Sequence, residues 1–278
     1  MQRIKITASV VIYKNEPEQI RLLLSCLLDT KIISRIYLID NSPDKISAST
    51  LKLPQKCEYI FTGSNIGYGA GHNIAIRKSL ALNSKYHLVV NPDISFKKGT
   101  LEKVLKYMDE HPDTGLLMPK ILYPDGSTQY LCKLLPTPFD WIFRRFLPIK
   151  KYVEKRNNLF ELRFSGYDKI MVVPYLSGCF MCFRTDALKE TGLFDEKIFM
   201  YGEDTDITRR IYQYYKTIYY PFAEAVHEFH KESYKNIKLL LVHIKSAIYY
   251  FIKWGWFFDR ERREINKEVL EKIKNNIQ

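Results

Sequence analysis

Four short segments of this 278-residue chain carry side chains that can do chemistry, in a fixed order: Asp40-Asn41, Asn65-Ile-Gly67 with Gly71-His-Asn73, Asn91-Pro-Asp93, and Gly202-Glu-Asp204-Thr-Asp206. The last places three carboxylates, Glu203, Asp204 and Asp206, at the start of an expected helix. Like charges so close raise one another's pKa, which suits a general base, while the helix dipole opposes the shift. Capping a helix needs one acid or two, not three. Asp93 follows an apolar run, where a carboxylate suits a divalent ion bridging a diphosphate, and a plain turn would use the same residues. The run Gly67-Tyr-Gly69-Ala-Gly71 opens a helix. Glycines there let backbone N–H groups approach a phosphate or ribose, and a glycine-rich cap without ligand is the other reading. The run has neither the Rossmann context nor the Lys-Ser/Thr of a Walker loop. Asp40 ends another apolar run, where it can accept the imide N–H of uracil or thymine or simply form a turn with Asn-Ser-Pro. His227 and His230 bracket Glu228-Phe229, and either imidazole can complete a metal shell or serve a structural role. Such parts would suit a nucleotide, its diphosphate with a metal, and a base.

The elements that must position these groups follow from periodicity. Residues 4–13, 36–39, 58–61, 86–90 and 114–118 read as strands, and 16–29, 69–82 and 101–110 as helices. Strands alternating with helices predict an α/β fold with a mostly parallel sheet. Ligands then bind beyond the carboxyl ends of the strands, where residues 13–15, 40–41 and 91–93 fall. Residues 120–168 hold Pro124, Pro136, Pro138 and Pro148 with weak periodicity, and read as a long insertion or mobile loop with short helices. An apolar strand pair is expected over 169–183, broken at Ser177-Gly178. A helix should follow from about Asp204 to Tyr215, a strand at 217–220, and helical structure over about 234–275.

Composition is that of a globular protein, 46% hydrophobic and 27% charged, with net charge +12. Residues 133–163 hold eight Lys/Arg against three Asp/Glu, and 231–278 eleven against six. This local excess suggests an anionic partner: nucleic acid, phosphorylated substrate or acidic membrane. The five cysteines include a CxxC at Cys179-Phe-Met-Cys182, but no second pair completes a zinc site, and its apolar context predicts buried free thiols in a reducing, cytoplasmic protein. Met1-Gln-Arg-Ile-Lys runs straight into a strand and reads as no signal peptide. No apolar run approaches the ~20 residues that span a bilayer.

Taken together, these motifs resemble a family 2 glycosyltransferase of GT-A fold, of the bacterial rhamnosyltransferase-like branch, from Ser9-Val-Val-Ile-Tyr-Lys-Asn15 to about Ser233. Each motif is weak alone, and their order and spacing are specific. The resemblance implies a Rossmann-like GT-A domain over 1–230, with a nucleotide-sugar half at 1–95, an acceptor half at 96–230 and a helical extension at 231–278. It implies that Tyr13 and Asn15 touch the nucleotide, that Asp40 with Asn41 reads the base, and that Asn65, Gly67 and Asn73 line the ribose and diphosphate. Asn91-Pro-Asp93 matches the family's Asp-x-Asp, with Asp93 a ligand of Mg2+ or Mn2+ and Asn91 on the nucleotide side. Asn91 in place of the family's first acid implies a lower metal affinity or a greater dependence on other ligands. His227 matches the late histidine of the metal site. Ser177 and Gly178 match the acceptor-side turn, grouped with Asp206. Asp204 matches the base, with Glu203 beside it.

The implied reaction is a single inverting displacement from a dTDP- or UDP-sugar, with dTDP-rhamnose the leading donor. The implied acceptor is a saccharide on a lipid diphosphate, in synthesis of O-antigen or capsule. The basic, aromatic stretches Ile142–Phe146 and Tyr249–Phe258 then suit peripheral contact with the inner membrane face, or packing within the protein or a homodimer. A nucleotidyltransferase would need a glycine-rich basic loop where Tyr13-Lys14-Asn15-Glu16 stands. A nucleic-acid-binding protein would leave Asp93 and residues 203–206 unexplained, so no nucleic acid is expected. An inactive scaffold of the same fold is the remaining alternative.

Overall fold

The computed structural model describes residues 5–46, 48–141, 150–228 and 237–277. In chain order the elements are β1 (Ile6–Ile12), α1 (Pro17–Asp29), β2 (Ile33–Asp40), α2 (Ala48–Leu51), β3 (Cys57–Phe61), α3 (Tyr68–Ala81), β4 (Tyr86–Val90), β5 (Ile94–Ser95), α4 (Thr100–Glu110) and β6 (Thr114–Leu122). There follow β7 (Cys132–Lys133), α5 (Pro138–Trp141), α6 (Lys150–Phe160), β8 (Met171–Val172), β9 (Tyr175–Leu176), β10 (Phe180–Arg184), α7 (Thr185–Thr191), α8 (Glu203–Tyr212), β11 (Lys216–His227), α9 (Ile237–Trp254) and α10 (Arg260–Ile277).

The central sheet has the order β3-β2-β1-β4-β10-β6-β11-β5, with β8 paired to β11. Strands β3, β2, β1, β4, β6 and β11 share one direction, so the sheet is mostly parallel, and β10, β5 and β8 oppose it. Burial explains the strand sequences. Ile6, Ala8, Val10 and Ile12 of β1 join the main core. The other face turns to α3, and there the strand carries Thr7 and Ser9. These polar groups are paid for by a buried chain of contacts: Thr7 Oγ1 to Ser79 Oγ (2.7 Å) and His87 Nδ1 (2.8 Å), and Ser9 Oγ to His87 Nε2 (2.8 Å) and His72 Nδ1 (2.7 Å). Burial pushes both imidazoles down, His87 to about 3, so both stay neutral.

Two expectations are revised. Strand β11 runs past Tyr220 to His227, although Pro221 lacks a donor for the ladder. A register shift between Tyr220 and Glu224 absorbs it. The stretch expected as a loop-rich insertion packs: Leu134, Leu135, Phe160, Leu162 and Tyr167 are core residues. The Tyr167 hydroxyl donates to the Glu161 carbonyl (2.7 Å) and accepts the Cys132 N–H (3.0 Å), so side-chain-to-backbone bonds replace an amphipathic pattern. Ile142–Phe146 lies outside the described residues.

The C-terminal helices dock on α8 through charge. Arg209 is fully buried and forks onto Asp259 at 2.8 and 2.9 Å, reaches Glu261 at 2.7 Å, and lies 4.1 Å over the Trp254 ring.

Candidate active site

One edge of the sheet gathers the polar segments. Parallel strands β1, β2 and β3 end together, with Ile12 opposite Asp40 and Asp40 opposite Phe61. Antiparallel β10 begins where β4 ends, with Phe180 opposite Val90. The turn before β10 therefore sits beside Asn91-Pro-Asp93. Strand β11 finishes at the same edge, its His227 opposite Ile94.

The turn Ser177-Gly178-Cys179 joins the two chemical groups. Its Cys179 carbonyl accepts the Asn91 N–H (2.9 Å), and its Gly178 N–H donates to Asp204 Oδ2 (3.0 Å). The Tyr68 hydroxyl donates to the Gly178 carbonyl (2.7 Å). Asp204 Oδ1 accepts the Thr205 N–H (2.7 Å). On the other side, His227 Nε2 lies 3.2 Å from Asp93 Oδ2 and His227 Nδ1 lies 3.0 Å from Gln129 Oε1. Gln129 also donates to the His227 carbonyl (2.8 Å). Apart from Thr205, these residues line one cavity of about 1610 Å³. That exceeds the roughly 300–1,000 Å³ of a single small-molecule site. There is room for two substrates.

Tyr201 and Gly202 both have positive φ, 69° and 117°, and this double left-handed turn aims the start of α8 into the cavity. A Cβ on Gly202 would lie 2.7 Å from the Trp141 ring, so glycine is required twice over. Burial first, and the Asp204 charge second, push the Glu203 carboxyl up to about 8. Asp204 is also raised by burial, opposed chiefly by the Lys133 cation. Burial is thus the larger cause for both acids. Glu203 is buried and Asp204 half-buried, so the less shielded Asp204 is the better placed base.

The residues fit a divalent ion. Asn91 Oδ1 and Asp93 Oδ1 are buried oxygens without a hydrogen-bond partner among the described residues. Among the described residues no three His, Cys, Asp or Glu side chains gather as a metal site. Asp93, His227 and the Asn91 oxygen make an incomplete donor set, as expected for an ion whose shell substrate phosphates complete.

Not every expected residue reaches the cavity. Tyr13, Asn15, Asn91, Asp93, Ser177, Gly178, Glu203, Asp204 and His227 line it. Asp40, Asn41, Asn65, Gly67, Asn73 and Asp206 do not. The Asp40 carboxylate accepts the Ser42 N–H (2.9 Å) and the Tyr59 hydroxyl, so it holds the end of β2. Asn41 donates to the Gly67 carbonyl (3.0 Å), and Asn65 accepts the Gly67 N–H (3.1 Å). Asn73 donates to the Phe194 carbonyl (2.9 Å) and to Glu196 Oε1 (2.9 Å).

The glycine run is a packing device. A Cβ on Gly67 would collide with the Phe199 carbonyl, on Gly69 with Phe194 (2.8 Å), and on Gly71 with Val11 (2.8 Å). It lets α3 approach β1 and the 194–199 segment that leads to Glu203. Asp206 is buried against Arg210 Nε (2.9 Å), Lys253 Nζ (2.8 Å) and Trp254 Nε1 (2.8 Å), which assigns it to docking α9. His230 and Ser233 lie outside the described residues. The sequence reading missed Tyr68, Gln129 and Lys133, all on the cavity wall. Lys133 had a signal, as part of the basic stretch. Gln129 had none.

Comparison with known proteins supplies the context. The model of the family described as glycosyl transferase family 2 matches residues 9–192. An N-acetylglucosaminyl-diphospho-decaprenol L-rhamnosyltransferase of Mycobacterium tuberculosis is 27% identical over 265 residues, covering 89% of this chain and 84% of that protein. The rhamnosyltransferase WbbL of Escherichia coli K12 is 25% identical over 218 residues, covering 73% and 79%. The Pyrobaculum calidifontis mannosyltransferase solved with GDP-Man and Mn2+ superimposes with TM-score 0.56 at 17% identity. This chain spans 64% of that structure, and the likeness is one of fold. Rhamnosyltransferases are thus among the proteins this chain resembles, and because the matched stretch spans more than half of it and takes in β4, Asp93 and the 177–179 turn, this chain belongs to glycosyl transferase family 2.

Proposed function

We propose that this glycosyltransferase moves a sugar from a dTDP or UDP donor to a saccharide acceptor in one inverting displacement, with dTDP-rhamnose the leading donor. The observation that carries this reading is the 177–179 turn, which ties Asn91, beside Asp93, and Asp204 into one cavity large enough for two substrates. The donor diphosphate lies toward Asn91 and Asp93, and Tyr13 and Asn15 face the nucleoside. The acceptor occupies the side of Ser177, Gly178 and Asp204. Asp204 takes the proton of the acceptor hydroxyl as that oxygen bonds to the anomeric carbon. The bond from that carbon to the diphosphate oxygen breaks, and its electron pair leaves with the nucleoside diphosphate.

Glu203, held largely protonated near neutral pH, keeps a second negative charge away from the base. Asp93 and His227, with Asn91, would hold Mg2+ or Mn2+, which when bound supplies Lewis-acid stabilisation of the leaving diphosphate. Asp40, Asn41, Asn65, Gly67 and Asn73, set back from the cavity, act by holding the loops that carry these groups. The mycobacterial relative's name specifies a diphosphate-lipid acceptor, and this supports a lipid-diphosphate-linked saccharide here.

Calorimetric titration of dTDP, UDP and GDP, with Mn2+ and then with EDTA, tests the reading. Metal-dependent binding of dTDP or UDP is the expected result. Absence of binding by any nucleotide under both conditions would leave an inactive scaffold.

A further inference from the structure

Helix α9 has two different sides. One packs inward through Ser246, Ala247, Tyr250 and Phe251 and places His243 on the cavity wall. The other presents apolar side chains to solvent: Ile237 is 74% exposed, Leu241 61% and Ile252 70%, with Ile248 also exposed. These positions recur at helical spacing and form a strip about 15 residues long, or roughly 22 Å. The turn after the helix extends it. Phe257 is 62% and Phe258 93% exposed.

That turn is held rather than loose. Gly255 has φ 100°, and its N–H donates to the Phe251 carbonyl (2.9 Å). Arg262 donates to the carbonyls of Gly255 (3.3 Å) and Trp256 (2.8 Å), and Arg263 to that of Phe257 (3.0 Å). Two adjacent phenylalanines fixed outward cost hydration free energy that only a partner would recover. The helix has no Asp or Glu; of its lysines, Lys253 pairs with Asp195 and Asp206 (both 2.8 Å), and Lys245 is exposed beside the strip. An apolar strip on a helix without acids, with an exposed lysine at its edge, matches an anionic bilayer, which offers an acyl boundary for the rings and phosphates for Lys245. No helix among the described residues is long and apolar enough to cross a membrane.

We propose that the outer strip of α9 and the Phe257-Phe258 turn seat this protein on an anionic lipid surface, parallel to the membrane. The contact stands on exposure and charge alone. Its use rests on the glycosyl-transfer reading: because the same helix lines the cavity with His243, a lipid-held acceptor would reach Asp204 without leaving the bilayer.

The test is flotation of the full chain, without nucleotide, on phosphatidylcholine vesicles and on vesicles that also contain phosphatidylglycerol. The wild type floats with the anionic vesicles, and added salt weakens the association. The double variant F257S/F258S binds at least about tenfold more weakly. K245E, at an exposed position outside the cavity, also weakens binding to the anionic vesicles. Both variants keep wild-type nucleotide affinity by calorimetry, which separates this contact from the donor site and controls for misfolding. Equal flotation of F257S/F258S and wild type would overturn the proposal. So would a wild type that ignores vesicles but sediments as a dimer that the double variant dissociates, since a second copy would then cover the strip.

Discussion

Two sides of helix α8 treat their charges in opposite ways. On the side under the C-terminal helices, Asp206 meets Arg210, Lys253 and Trp254, and Arg209 meets Asp259 and Glu261. Each buried charge there has an opposite charge at hydrogen-bond distance. At the cavity end, one turn away, Glu203 Oε2 is buried without a hydrogen-bond partner among the described residues, and Asp204 is held by backbone N–H groups. A helix can tolerate three acids in its first turn when only one of them is neutralised by partners. The paired acid fixes the helix, and the unpaired ones retain the raised proton affinity that acid–base chemistry uses.

The sharpest way to break this contrast is Asp204→Asn. We expect turnover to fall about 10²–10⁴-fold, the range of a lost general base, with thermal stability retained. A single-turnover assay beside a melting curve checks both halves. Loss of stability in place of rate would move Asp204 to the structural side.

Arg209→Met is next. It leaves buried Asp259 only the Arg262 N–H (2.9 Å) and the Arg262 guanidinium at 3.8 Å, and removing one partner of a buried pair costs roughly 3–5 kcal/mol. Denaturant unfolding would show it, and the companion R209M/D259L should recover part of the loss. Asp206→Asn should cost about 1–3 kcal/mol in the same experiment, because Lys253 and Arg210 keep partial solvent access. Its nucleotide affinity should remain that of the wild type, and a weakened donor site would return Asp206 to the binding machinery.

The smallest effect concerns pH. Glu203 is raised to about 8 in the folded chain from an ordinary value of 4.5. Between those values the folded state holds a proton that the unfolded state has lost, so this group's contribution to stability declines as pH rises across that window. Glu203→Gln removes the ionisation. It should flatten the decline, so that the variant gains on wild type between pH 5 and pH 8. Parallel pH profiles in both proteins would sink this assignment.

Where the sequence was legible, it was through local pattern. The spacing of Ile20, Leu23, Leu24 and Leu27 announced α1, and that of Leu101, Val104, Leu105 and Met108 announced α4. The apolar runs ending at Asp40 and Asn91 announced strands whose carboxyl ends share an edge. The Tyr249–Phe258 stretch was readable only in part. Tyr250 and Phe251 pack inward, while Ile252, Phe257 and Phe258 face out. The glycine run was legible as a helix start, but what filled the space above it was not. The atoms that a Cβ on these glycines would meet belong to Phe194, Phe199 and Val11, two of them more than a hundred residues away.

The sequence by itself determined the alternation of strands and helices, the edge at which polar groups must lie, and the acidic start of α8, because each depends on side chains within a few residues of one another. Tertiary structure alone decided that β10 enters antiparallel between β4 and β6. That entry brings the 177–179 turn beside Asn91. The fold also decided that Asp206 would be neutralised by Lys253 while Asp204 would not. Those outcomes turn on which distant charge or carbonyl arrives within about 3 Å, the range over which a hydrogen bond or ion pair acts, and one-dimensional spacing carries no record of that approach.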